Sequence, residues 1–95
     1  MIDEMIRLQT YIQSKYENAV VDLMTFHSGA TTLDTRMKDL LLTFEYSPKE
    51  GFAVSRIVGV EDAYDPQKCV IFGKGEFNNA KDYYLSLVEI ESLPM

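Results

Sequence analysis

Very few side chains in this sequence have the chemistry to act as reagents. It holds one histidine, His27, and one cysteine, Cys69. Nucleophilic catalysis needs a nucleophile, a base and a group that orients the base. His27 stands before Ser28 and Gly29 at the end of an apolar run, and Cys69 leads into Val70, Ile71 and Phe72. Neither has the surroundings of an activated group. Cys69 reads as a small apolar core residue and His27 as a rim residue. With one of each, a zinc site of the usual Cys/His type has too few ligands. Glu61, Asp62 and Asp65 crowd hard oxygen donors together, but without the glycine and spacing of a calcium loop, so a solvated loop is expected. Gly73 and Gly75 lack the third glycine and the Lys-Ser/Thr pair that cradle phosphate. Asp22, Asp39 and Glu45 fall on predicted strands, and no acid–base pair can be assigned among them without the strand order. The residues therefore point to no enzyme, no metal and no cofactor.

The elements that would carry these residues centre on Lys38 to Val60. Two β-type runs flank Ser47-Pro48-Lys49-Glu50-Gly51, where Pro48 presets φ at the second turn position and Gly51 supplies a positive φ. A hairpin closed there sets Tyr46 opposite Phe52, Phe44 opposite Val54, Leu42 opposite Arg56, Leu40 opposite Val58 and Lys38 opposite Val60. The other face then pairs Glu45 with Ala53, Thr43 with Ser55, Leu41 with Ile57 and Asp39 with Gly59. This register gives one aromatic-aliphatic face and one mostly polar face; a one-residue slip mixes them. Arg56 is the exception on the apolar face. Its stem can lie over the sheet with the charge at the rim, or it can hold a carboxylate partner.

Residues 2 to 17 read as a helix with a stripe of Ile2, Met5, Ile6, Ile12 and Tyr16, widened by Leu8 and Tyr11. Asp3 and Glu4 suit its first turn and Lys15 its last. Ala19 to Ser28 reads as a strand apolar on both faces, which predicts a central or covered position. Thr32 to Leu41 has helical spacing as well, but the run into Leu40 to Tyr46 favours a strand from about Thr35. Glu61 to Lys68 reads as a polar loop broken by Pro66, and Cys69 to Phe72 as a short strand ended by Gly73-Lys74-Gly75. Lys81 to Leu93 admits a helix capped by Asn79 or a strand, with the paired tyrosines tipping toward strand. The expected architecture is α+β: an N-terminal helix packed on a four- to five-stranded, mostly antiparallel sheet, in one domain spanning residues 1–95.

Composition sets the functional class. At 95 residues, 46% hydrophobic and 25% charged, the chain is ordinary for a globular domain with a core of its own. A single cysteine forms no internal bridge and favours a reducing, cytoplasmic setting. The start, Met1-Ile2-Asp3-Glu4, lacks a basic region followed by an apolar run, so no secretory leader is expected. No run approaches the length of a membrane span. Fifteen acids against nine bases give a net charge of −6. No two bases are adjacent, which argues against bare nucleic acid or anionic membrane as partner.

An acidic, non-catalytic binding protein follows as the leading expectation, an inhibitor that occupies a basic, nucleic-acid-binding surface of a protein partner. Small accessory proteins of phages and mobile elements often have this character. The residues expected to meet the partner are Glu61, Asp62, Tyr64, Asp65, Glu76, Asp82, Glu89 and Glu91. The alternative is a structural or assembly subunit that forms a homo-oligomer or joins a larger particle through a strand edge and Tyr46, Tyr64, Tyr83 and Tyr84. An enzyme working through His27 or carboxylates is the third possibility.

Overall fold

The computed structural model describes residues 2–37, 40–58 and 66–92. Helix α1 (Ile2–Lys15) is followed by strands β1 (Val20–Thr25), β2 (Thr31–Met37), β3 (Leu40–Ser47), β4 (Gly51–Val58) and β5 (Pro66–Phe72), then helix α2 (Phe77–Ser92). The strands form one antiparallel sheet in chain order, β1-β2-β3-β4-β5. Both helices lie on the same face, giving two layers and an α+β domain. No described helix is long and apolar enough to cross a membrane.

Of the predicted stripe, α1 buries Met5, Leu8 and Ile12 against Val21, while Ile6 and Tyr11 stay exposed. The helix stops at Lys15, two residues before the expected end. Tyr16 N still donates to Ile12 O at 2.9 Å, and Ala19 N donates to Tyr16 O at 3.2 Å, turning the chain into β1. The β3–β4 register is the one the alternation dictates, from Tyr46 opposite Phe52 to Leu40 opposite Val58. Lys38 with Val60 and Asp39 with Gly59 lie outside the described residues.

The structure corrects several expectations, among them the short strand from Cys69, since β5 begins three residues earlier at Pro66. β1 is not central but an edge strand; of the two alternatives it is the covered one, with α1 packed on its inner face. Val21 turns inward, while Val20, Met24 and Phe26 are left exposed. Its two apolar faces misled because only one meets a helix. The strand begun near Thr35 is two strands: β2 starts at Thr31, and Met37 pairs with Leu40, so the chain reverses between them. No glycine or proline marks that reversal. The C-terminal segment is a helix and not a strand. Phe77, Ala80, Tyr84 and Val88 recur at helical spacing and pack on β2, β3 and β4, covering the half of the sheet that α1 leaves bare. Glu76, not Asn79, caps it. The Glu76 carboxylate accepts from Gly73 N at 2.7 Å and from the Asn79 side-chain amide at 3.3 Å, and Ala80 N donates to Glu76 O at 3.0 Å.

The core is aromatic beneath α2. Phe44 meets Phe52 and Tyr84 edge-on at 5.7 and 5.3 Å, and Phe77 tilts over Phe44 and Phe52 at 6.0 and 5.7 Å. Each ring of this size contributes about 1.5–3 kcal/mol through the apolar area it removes from water. At the centre the Tyr84 hydroxyl lies 2.7 Å from Thr35 Oγ1, 3.0 Å from Leu42 O and 3.1 Å from Leu33 O. The bond to Thr35 and those to two adjacent strands tie α2 to the sheet. Burial pushes the phenol well above its ordinary value.

Candidate protein-binding surfaces

The residues with catalytic potential are kept apart. His27 sits exposed in the turn between β1 and β2, and Cys69 belongs to β5 at the opposite edge of the sheet. Four strand spacings separate the two edges, about 19 Å. Among the described residues, no group of three His, Cys, Asp or Glu side chains could hold a metal ion. The acid loop of Glu61, Asp62, Tyr64 and Asp65 lies outside the described residues.

On α2, the expected acidic surface divides. Glu76 is engaged in its cap, and Glu91 turns toward the sheet, where Arg56 Nη2 lies at 2.9 Å and Arg56 Nε at 3.2 Å from one carboxylate oxygen. Arg56 thus has its carboxylate within the chain. Asp82 and Glu89, exposed with Ser86 between them, share the outward crest of the helix. The tyrosines are equally committed. Tyr84 is fully buried, Tyr83 packs beside Phe72 at 6.0 Å, and Tyr46 packs on Phe52 at 5.0 Å.

A surface that the strand sequences did not reveal singly is the outer face of the sheet, which neither helix covers. Registers fix its composition, because residues directly opposite one another share a face. One row runs Asp22, Asp34, Thr43, Ser55; the next runs Met24, Thr32, Glu45, Ala53, Ile71; a third holds Val20, Arg36 and Leu41. Among these side chains, three acids stand against one base. Asp22 and Asp34 face each other directly on neighbouring strands, an arrangement of like charges that disfavours the folded state. Around them, Val20, Met24 and Ile71 are 58%, 51% and 71% exposed. The available signal was the alternation of Asp22 with Val21 and Leu23, and of Thr43 and Glu45 with Leu42 and Phe44. It marks outward positions once the strand order is known.

On the opposite side, α1 and α2 lie side by side with their first halves along one groove. No Cα of one approaches within 8 Å of a Cα of the other. The gap is an open groove of about 450 Å³ with Leu8, Tyr11, Phe77 and Leu85 along it and Glu4, Arg7 and Lys81 at its sides. Its charges are mixed and it brings together no nucleophile and base. No protein-family model matches the chain, nor does any curated protein or solved structure.

Proposed function

We propose that this chain is a non-catalytic binding protein that docks a basic, partly apolar protein surface on the outer face of its sheet. It acts by occupying that surface. The observation that carries this reading is the directly opposed pair Asp22–Asp34 on a face that no described element covers. Like-charged residues directly opposite on neighbouring strands disfavour the isolated domain, and a partner's lysine or arginine placed over them turns that cost into affinity. The exposed Val20, Met24 and Ile71 supply the apolar area that charges alone lack. A cleft shaped to hold nucleic acid offers such a combination, and a domain of net charge −6 competes for it by mimicry of the phosphate field.

Capture from host lysate with the purified chain as bait tests this, using Asp22→Asn/Asp34→Asn beside Asp82→Asn/Glu89→Gln. The sheet-face variant should lose the captured partner, and the helix-crest variant should keep it. Wild-type capture should fall steeply with added salt. The sheet-face variant itself should be as stable as wild type or more stable by about 0.2–1 kcal/mol, since it removes a repulsion. Capture indifferent to both aspartates would overturn the reading.

A further inference from the structure

We propose that the free edge of β1 pairs antiparallel with β1 of a second copy of this chain, centred on Leu23 opposite Leu23. This goes beyond the docking of a basic partner and stands independently of it. The sheet has two edges, and only one is protected. β5 opens with Pro66, which has no N–H to offer, carries Lys68, and its ladder with β4 shifts register between Arg56 and Ile57. Proline, lysine and irregular registers are the usual means by which an edge is closed to other strands. β1 has none of these: Val20-Val21-Asp22-Leu23-Met24-Thr25 holds no proline, glycine or base, and its ladder with β2 is regular throughout.

The ladder also shows which main-chain groups are on offer. Phe26 N donates to Ala30 O at 2.9 Å, which makes those two a hydrogen-bonded pair. In an antiparallel ladder the type alternates, so Val20, Asp22 and Met24 turn their N–H and C=O toward β2. Val21, Leu23 and Thr25 therefore turn theirs outward. Val21 O accepts from the Gln9 side chain at a long 3.4 Å, consistent with that direction.

Two-fold symmetry and charge then select the register. A two-fold axis normal to the sheet preserves inner and outer faces only when a residue at the axis meets its own copy. Two such registers use most of the strand. One centred on Asp22 sets two aspartates against each other. The other, centred on Leu23, sets each Asp22 opposite Met24 and each Val21 opposite Thr25. It lets all three outward residues exchange hydrogen bonds with the second copy. It also brings Val20 opposite Phe26 on the outer face, two side chains now 58% and 48% exposed. The product is one continuous antiparallel sheet across two copies.

Sedimentation equilibrium of the purified chain over a concentration series tests the pairing, with circular dichroism confirming that each variant folds. Met24 is exposed and faces Asp22 of the second copy only in the Leu23-centred register. Met24→Asp should weaken association at least tenfold by facing carboxylate with carboxylate. Met24→Lys should hold or strengthen it by forming an ion pair on each side of the axis. Ile71→Asp, on the far edge, should leave it unchanged. A wild-type chain that stays monomeric at every concentration overturns the proposal, as does equal loss of association in Met24→Asp and Met24→Lys. The latter would indicate a greasy patch without strand register.

Discussion

Tyr84→Phe removes one oxygen from the side chain that ties α2 to the sheet, and its cost can be worked from the geometry. The hydroxyl has one proton. That proton is shared between the carbonyls of Leu33 and Leu42 at 3.1 and 3.0 Å, and the same oxygen lies 2.7 Å from the Thr35 hydroxyl, its hydrogen-bond partner. The carbonyls lose a secondary contact, but the Thr35 hydroxyl is left in a fully buried site without this partner. A net loss of about 1 kcal/mol for the bond and about 1–2 kcal/mol for the stranded hydroxyl gives about 2–3 kcal/mol. A domain of 95 residues has about 5–14 kcal/mol in total, so urea denaturation followed by circular dichroism resolves the change readily. Adding Thr35→Val should recover part of the loss, because both partners are then apolar, and the double variant should lose less than the two singles summed.

Alkaline pH supplies an independent check of the same oxygen. Below the ordinary phenol value of 10.0, folded and unfolded chains both keep the Tyr84 proton, and pH has no effect through this group. Above it the unfolded chain releases the proton while the buried phenol holds on. Stability then falls by up to about 1.36 kcal/mol per pH unit, a slope that Tyr84→Phe lacks. The gap between wild type and variant should therefore narrow from neutral to strongly alkaline pH. A neutral-pH cost below about 0.5 kcal/mol, or a gap that stays constant with pH, would refute the reasoning.

Two further outcomes follow from the local geometry. Gly51 has φ of 101°, and a Cβ there would stand 2.5 Å from Phe72 O; around Gly75 nothing lies within 4 Å. Gly51→Ala should cost at least about 2 kcal/mol in thermal or chemical denaturation, and Gly75→Ala should stay within about 0.5 kcal/mol. Glu76→Ala frees the Gly73 amide and the Asn79 side chain from their shared acceptor, and should destabilise by about 0.5–2 kcal/mol, with α2 amides near Ala80 exchanging faster.

The hairpin register was legible because one face of β3 and β4 is buried, and burial converts alternation into a unique pairing. Phe44, Phe52 and Val54 could not all face inward after a one-residue slip. The position of β1 was not legible, because alternation says which residues share a face and nothing of what covers it. Val20 and Met24 looked like core and are surface. The helix at α2 was hidden by residue type. Tyr83, Tyr84, Leu87 and Val88 suit a strand by propensity, and tertiary cover of the sheet overrode that preference. The candidate site suffered from the same gap. Asp22 and Asp34 are 12 residues apart in sequence, and only the β1–β2 register sets them face to face.

The order of strands in the sheet is also their order along the chain, and this bears on how the domain assembles. Every strand finds its neighbour through the next connection, so the sheet can grow hairpin by hairpin with little loop entropy to overcome at each step. The link that spans the chain is of another kind. Tyr84 reaches back 51 residues to Leu33, and it cannot act until β2, β3 and α2 are all present. This order of contacts has the meander pair before α2 docks on it, so the Tyr84 contacts are completed after the folding barrier has been crossed. Tyr84→Phe should then accelerate unfolding more than it slows refolding, the signature of a contact made after the barrier.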